Sequence, residues 1–185
     1  MKGERFSFSR ECDTYVVMIW TIILAAGESR RMARPKLLLP FGEKTIIETV
    51  MDNAASSKAN YTLLVLGCFR EKITQKVKGF PAIPVFNPNY KQGMLSSVQI
   101  GFRSLPEGAQ AGLVLLGDQP SISSRVIDQV IEGYSQTTKG IILPTYKKKR
   151  GHPVLFDMKY KNEIAALSPE VGLRGIVYNH PGDVH

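Results

Sequence analysis

An apolar run passes directly into small and then basic residues between positions 21 and 36. Residues 22–24, Ile-Ile-Leu, form an uninterrupted β-branched and apolar segment, which is typical of a parallel strand covered on both faces. Ala25, Ala26 and Gly27 follow with almost no side chain, so backbone N–H groups there can approach a ligand closely. The stretch therefore predicts a buried strand that ends in an open, close-approach turn.

Several cations lie in the loop after this turn: Arg30, Arg31, Arg34 and Lys36. Backbone donors give directional hydrogen bonds to phosphate oxygens, and Arg and Lys side chains neutralise their charge. The pattern indicates a polyphosphate site, although a tight strand-to-helix connection with a solvated basic surface fits the same residues. It is not a P-loop, because no Gly-Lys-Ser/Thr follows, and it is not a dinucleotide fingerprint, because Gly27 has no Gly partners.

Composition limits the class of protein. A chain of 185 residues with 43% hydrophobic residues can bury a substantial core and fits one domain. Its formal net charge of +8 suits an anionic partner, which is nucleic acid, an anionic membrane or a small polyphosphate. The basic run at residues 147–149 is more typical of a solvated loop than of a binding site. No RNA-binding aromatic motif or zinc-finger spacing is present, so nucleic acid is not favoured.

The sequence predicts a cytoplasmic protein without a membrane span. Cys12 and Cys68 are the only cysteines and follow no pattern, which fits a reducing compartment. No apolar stretch approaches the ~20 residues that cross a bilayer, and charged residues near the N-terminus break any signal peptide. Residues 1–17 are expected to be a flexible extension, and residues 18–185 a single domain.

Strand patterns alternate with helix patterns along the chain. Apolar runs predict strands at residues 16–24, 61–66, 83–86, 112–116, 140–144 and 150–156. Thr45 and Glu48 form a capping-box pattern that starts the first helix, and further helices are expected from residues 70, 93, 121, 159 and 172. This alternation predicts an α/β fold with a doubly wound, Rossmann-like and mostly parallel sheet.

The predicted strand ends bring candidate site residues together, because ligands of such sheets bind outside the carboxyl ends of the strands. Gly67, Asn87 and Asp118 each follow a predicted strand. A carboxylate such as that of Asp118 suits Mg²⁺ when the metal is shared with phosphates. Asp118 could also cap the turn before Pro120, but its pairing with a phosphate loop at a neighbouring strand favours the metal role.

Residues 24–36, which we call the signature loop, also resemble a known family. Residues 24–32 followed by Lys36 are similar to L-A-A-G-x-S-x-R-M-G-x-x-K of nucleotidyltransferases related to molybdenum cofactor cytidylyltransferase. That family includes accessory proteins of xanthine dehydrogenase. Ala33 stands where the family usually has Gly.

Other segments carry the same resemblance in the same order. Residues 87–97 are similar to N-P-x-x-x-x-G-M-S-x-S, residues 116–120 to L-G-D-M-P, residues 150–156 to R-G-H-P-V-x-F, and residues 170–174 to G-D-x-G-A-R. Leu95 and Glu170 depart from these patterns. The resemblance implies a fold of the nucleotide-diphospho-sugar transferase type and a second metal-binding Asp in an I-D-T-P segment. Nothing after Asn179 matches that segment, so the domain is expected to be truncated at its C-terminus.

The resemblance implies roles for individual residues. Arg31, Lys36 and Asp118 would be catalytic, with Asp118 holding Mg²⁺ or, in its place, Mn²⁺. Nucleotide-binding positions would be Leu24, Ala25, Ala26, Gly27, Arg31, Lys36, Gly67, Asn87 and Ser97, and acceptor-binding positions Ser96, Arg150, Gly151, His152 and Arg174. From the residues alone, helix capping fits Ser96 and Ser97 equally well, and a packed loop histidine fits His152 equally well.

The resemblance also implies an activity. Ala26 follows the cytidylate-type pattern, so CTP would donate CMP to a molybdopterin-type cofactor and pyrophosphate would leave. Such an enzyme supports maturation of a molybdenum hydroxylase such as xanthine dehydrogenase. Two alternatives stay open: a nucleotidyltransferase acting on a sugar or polyol phosphate, and a non-catalytic carrier or chaperone of molybdenum cofactor.

Overall fold

A computed structural model describes residues 17–29 and 34–185 of the chain. The strands are β1 (Ile19–Ala25), β2 (Pro40–Phe41), β3 (Lys44–Thr45), β4 (Tyr61–Leu66), β5 (Ile83–Phe86), β6 (Ala111–Leu116), β7 (Ile141–Ile142), β8 (Thr145–Tyr146), β9 (Lys149–Arg150) and β10 (Val154–Asp157). The α-helices are α1 (Ile46–Ala55), α2 (Arg70–Lys76), α3 (Met94–Arg103), α4 (Ser124–Ser135), α5 (Lys161–Ala166) and α6 (Arg174–Asn179). The predicted N-terminal extension falls almost entirely outside the described residues.

Six strands form the central sheet in the order β5-β4-β1-β6-β10-β7. The pairs of β1 with β4 and β6, and of β4 with β5, are parallel, while β10 runs antiparallel to both β6 and β7. The predicted α/β fold with a mostly parallel sheet is therefore confirmed. The strand predicted at residues 150–156 is shorter than expected, because Arg150 pairs with Thr145 in a separate hairpin and β10 begins at Val154.

Helices cover both faces of the sheet. The side chains of β1 alternate between the two faces, and apolar ones pack against helices on each side. Ile19 and Ile23 pack into the apolar cluster that includes residues of α1, α2 and α4. Trp20 and Ile22 pack into the cluster that includes residues of α3, α5 and α6. A Cβ at Gly101 would lie 2.6 Å from the Cγ2 atom of Ile22, so α3 approaches β1 as closely as a glycine allows.

The predicted capping box begins α1. The Thr45 hydroxyl accepts a hydrogen bond from the Glu48 N–H, and the Glu48 carboxylate accepts one from the Thr45 N–H at 2.8 Å. The buried face of this helix matches the periodicity of the sequence: Ile47, Val50, Met51 and Ala54. No helix in the described part of the chain is long and apolar enough to cross a bilayer.

Candidate functional site

A cavity of about 510 Å³ opens at the carboxyl ends of β1 and β6. Six of the predicted site residues line it: Leu24, Ala26, Gly27, Lys36, Ser97 and Asp118. They come from four separate segments of the chain, and the parallel pairing of β1 with β6 brings the first of these segments beside Asp118. We call this the first cavity.

Lys36 and Asp118 form an ion pair in the wall of the first cavity. The Lys36 ammonium lies 2.8 Å from the Asp118 carboxylate, and the two side chains are 44% and 42% exposed. The Lys36 N–H donates to the Ser29 hydroxyl at 2.9 Å, which holds the start of the turn after the signature loop. Gly117 donates its N–H to the Leu24 carbonyl at 3.0 Å, and a Cβ there would lie only 2.7 Å from that oxygen. Glycine at 117 therefore lets Asp118 sit beside the end of β1.

A buried hydrogen-bond network supports the other wall of the first cavity. Asn87 is 1% exposed, and its amide donates to the hydroxyls of Ser96 at 2.9 Å and Ser97 at 3.0 Å. The Asn87 carbonyl oxygen accepts from the Asn89 N–H at 2.9 Å. Gly93 and Ser97 line the cavity, and no described side chain caps the N-terminus of α3. Free N–H groups of a first helical turn favour an anion.

Some predicted nucleotide-binding residues lie behind this cavity rather than in its wall. Ala25 is 1% exposed and packs into the apolar core on the α1 face. A Cβ at Gly67 would lie 2.3 Å from the Ala26 carbonyl oxygen, so Gly67 permits close packing of two strand ends. Asn87 reaches the cavity wall only through its hydrogen bond to Ser97. Arg31 lies outside the described residues.

A second cavity of about 400 Å³ adjoins the first. The two share the side chains of Leu24, Met94 and Leu116. Most of its wall is apolar, and four predicted acceptor-binding residues line it: Arg150, Gly151, His152 and Arg174. Ser96, the fifth, lines neither cavity, because its hydroxyl is engaged by Asn87 and by the carbonyls of Asn89 and Gly93.

Within the described segments, the charged side chains of the second cavity are not joined in an ion pair, unlike Lys36 and Asp118 in the first. The Arg150 guanidinium lies 5.7 Å from the centre of the Tyr178 ring, and the Arg174 Nε donates to the Val171 carbonyl at 3.4 Å. Neither guanidinium forms an ion pair within residues 17–29 and 34–185. Burial lowers the pKa of His152, while Asp118 opposes that shift, so the imidazole is neutral near pH 7. His152 therefore adds no positive charge to the second cavity near pH 7.

The chemistry of Asp118 suits a divalent metal that is shared with a ligand. No group of three His, Cys, Asp or Glu side chains in the described segments is arranged to hold a metal ion. Asp118 is an exposed carboxylate at an open cavity, so a metal ion there would take most of its ligands from other oxygens, which is how Mg²⁺ binds together with nucleotide phosphates. Asp118 fits such an ion if the phosphates of a bound triphosphate complete its coordination.

Sequence reasoning missed several wall residues of the first cavity: Glu28, Ser29, Leu37, Tyr90, Lys91, Gly93, Met94 and Leu116. Tyr90 and Lys91 lie in a 3-10 turn between two motif segments, Asn-Pro and Gly-Met. Their position inside the motif loop was a usable signal. The role of Met94 between the two cavities had no local signal, because it depends on where α3 packs.

The order of the sheet and the cavity at its strand ends, with Lys36 and Asp118 in the wall, fit a protein of the nucleotidyltransferase class. The chain belongs to the family of MobA-like NTP transferase domains, whose sequence pattern matches residues 21–184. The expected enzyme class and family are thereby confirmed. Molybdenum cofactor cytidylyltransferase of Escherichia coli is 30% identical over 135 residues, which cover 72% of this chain and 67% of that protein. Nicotine blue oxidoreductase of Paenarthrobacter nicotinovorans is 25% identical over 176 residues, or 91% and 86% of the two chains.

Solved structures share the fold. Rv0371c from Mycobacterium tuberculosis superposes with a TM-score of 0.79 at 23% identity, over 88% of this chain and 82% of that one. Its manganese complex gives a TM-score of 0.74 at 23% identity, over 91% and 86%. The 4-diphosphocytidyl-2C-methyl-D-erythritol synthase of Anaerococcus prevotii gives 0.69 at 16% identity, over 90% and 85%.

Proposed function

We propose that the protein transfers CMP from CTP to a molybdopterin-type cofactor and releases pyrophosphate. The carrying observation is that a cavity whose wall holds the Lys36–Asp118 ion pair, at 2.8 Å, adjoins a second cavity with two arginines in its wall. A triphosphate suits the first, and a larger organic molecule that carries a phosphate suits the second. The similarity to Escherichia coli molybdenum cofactor cytidylyltransferase supports the choice of donor and acceptor.

The reaction needs no protein nucleophile. A terminal phosphate oxygen of the acceptor attacks the α-phosphorus of CTP, the bond from that phosphorus to the bridging oxygen breaks, and pyrophosphate leaves. Mg²⁺, or Mn²⁺, bound to Asp118 would neutralise phosphate oxygens and stabilise the leaving group. Positioning and charge stabilisation then account for most of the rate increase.

The residues of the chain divide this work. Lys36 leaves Asp118 and neutralises the phosphates, and the Ser97 hydroxyl and the N-terminal N–H groups of α3 hold an anion beside it. Arg31 is proposed as a second cation of the signature loop. Arg150 and Arg174 hold the acceptor, and neutral His152 can donate or accept a hydrogen bond to it. The shared wall of Leu24, Met94 and Leu116 lets the two substrates meet where the cavities join.

Three further parts of the proposal concern setting. Residues 18–185 would form one nucleotidyltransferase domain, with residues 1–17 as an extension. The protein would act in the cytoplasm, and its product would serve a molybdenum hydroxylase. No nucleic acid or membrane takes part in this scheme.

The test is pyrophosphate release from CTP with Mg²⁺ and molybdopterin-type cofactor. We expect release only when the cofactor is present, and faster release with CTP than with GTP. CTP with Mg²⁺ should also raise the melting temperature more than GTP does, since stabilisation follows ligand affinity.

Faster turnover with GTP would contradict the cytidylyl assignment. Turnover with a polyol phosphate but not with the cofactor would favour the sugar or polyol alternative. The erythritol synthase of Anaerococcus prevotii, which shares the fold of this chain, makes that alternative worth testing. Cofactor binding without pyrophosphate release would favour a carrier.

A further inference from the structure

A hairpin projects from the rim of the second cavity. Its strands β8 and β9 form a two-stranded sheet of their own, and every residue from 145 to 150 is exposed. The Gly151 N–H donates to the Pro144 carbonyl at 2.9 Å and closes the base of the hairpin. Arg150 and Gly151 line the cavity. The hairpin is therefore continuous with the cavity wall but is not hydrogen-bonded into the main sheet.

The turn of this hairpin is occupied by residues that it does not favour. Lys147 has a φ of 49° and Lys148 a φ of 63°, both in the left-handed region. Two-residue hairpin turns with positive φ at both positions favour Asn-Gly, and side chains with a Cβ are strained there. Two lysines thus make the turn less stable than Asn-Gly would at the same two positions. What they add to the turn is charge.

The charge on the hairpin is not neutralised within the described protein. Residues 147–150 are four consecutive cations, and none forms an ion pair with a carboxylate in residues 17–29 and 34–185. Elsewhere in residues 17–29 and 34–185, Lys36, Lys58 and Lys159 are each paired with an Asp or Glu, and lysines without an ion pair, such as Lys72 and Lys78, do not form a consecutive run. Arg174, which also lacks an ion pair, lines the same cavity. The rim therefore carries a concentrated positive potential.

We propose that this hairpin is a cationic arm that captures a phosphate-bearing small molecule for the second cavity. The apolar wall can hold an organic body but does not attract one from a distance. Lys147 and Lys148 act at long range, because unpaired charges beside a low-dielectric cleft raise the association rate of an oppositely charged ligand. A nucleic acid fits this rim less well, because Glu170 lines the same cavity and repels a continuous phosphate chain. The inference rests on the proposed function in taking the captured molecule to be the acceptor.

The test uses the double variant Lys147→Asn/Lys148→Gly, which replaces both charges with the residues that the turn favours. The probe is a fluorescent pterin that carries a phosphate ester, and its association rate is measured by stopped flow. We expect about a three- to tenfold slower association at low ionic strength and no difference at about 0.5 M salt. The same pterin without phosphate should associate equally with both proteins. The melting temperature should rise by about 2–4 °C, which excludes misfolding as the cause.

The matched control is Lys72→Gln/Lys78→Gln, which removes the same charge from two exposed lysines near α2, at the opposite edge of the sheet. It should leave the association rate near the wild-type value. The proposal would be overturned by an unchanged association rate in the hairpin variant, or by an equally slowed association in the control. It would also be overturned by a short single-stranded oligonucleotide that binds more tightly than the phosphopterin and loses affinity in the hairpin variant.

Pyrophosphate release, measured in parallel, separates this inference from the proposed function. If the wild type captures phosphopterin through the hairpin but releases no pyrophosphate, the proposed function fails and the arm stands. If turnover is normal and association does not depend on the hairpin, the arm fails and the proposed function stands.

Discussion

The two adjoining cavities hold charge in opposite ways. In the first, Lys36 and Asp118 satisfy each other at 2.8 Å, and the proposed reaction separates them by placing a metal on Asp118 and a phosphate on Lys36. In the second, Arg150 and Arg174 line a mostly apolar wall and have no carboxylate partner in the described segments. The first therefore offers an ion pair whose two members a charged ligand must separate, and the second offers arginines that an anionic group can contact without displacing a carboxylate. Substitutions should therefore have effects specific to one cavity.

Asp118→Asn should have the largest effect. Asn keeps the size and turn-forming capacity of Asp but lacks the charge that a hard divalent cation needs. Metal-dependent pyrophosphate release should fall by about two to three orders of magnitude, while the free energy of unfolding changes by less than about 1 kcal/mol, because the ion pair is half exposed. Asp128→Asn on α4 is the matched control and should keep full turnover. Near-full turnover in Asp118→Asn would refute the metal role.

Lys36→Ala should weaken CTP binding, because it removes a charge-assisted contact to phosphate. A loss of about 1–3 kcal/mol in binding free energy is expected by calorimetry. The melting temperature without ligand should hardly move, since an exposed ion pair contributes little to stability. Arg31→Ala should be measured beside it. Unchanged CTP affinity in both variants would remove the signature loop from the nucleotide site.

Arg174→Gln tests the second cavity alone. The KM for the acceptor should rise about tenfold, the size of one lost charge-assisted hydrogen bond, while CTP affinity stays the same. Arg103→Gln, at the exposed end of α3, is the control and should change neither value. An equal loss of CTP affinity in Arg174→Gln would show that the two cavities do not act separately.

Replacing His152 should give the smallest effect, a change in how the free energy of unfolding depends on pH below about 6.5. Burial lowers its pKa in the folded protein, so below the ordinary pKa of 6.5 the unfolded chain binds the proton first. The free energy of unfolding should therefore decrease as the pH falls below about 6.5, with no contribution from His152 above it. His152→Asn should show a shallower decrease in urea titrations between about pH 7.5 and about pH 5.5. Identical slopes in the two proteins would argue against a lowered pKa of the half-buried His152 imidazole in the wall of the second cavity.

The sequence alone was enough for features that depend on neighbours along the chain. The strand at residues 22–24 and the Thr45–Glu48 capping box follow from residue type and spacing, and the structure has both. The α/β class followed from their alternation. The placement of Asp118 after a buried strand also needed only local pattern.

Contacts between distant segments were decided by the tertiary structure. Ala25 and Ala26 are adjacent and alike in sequence, yet only Ala26 lines a cavity: Ala25 ends β1 and packs on the α1 face, whereas Ala26 follows the strand and packs on the α3 face. Met94 lies between the two cavities because of where α3 packs on the sheet. Lys36 and Asp118 are 82 positions apart and meet because β1 and β6 pair in parallel. Residue types and spacings indicate the available chemistry, but which groups come within hydrogen-bond distance depends on the packing of the whole sheet.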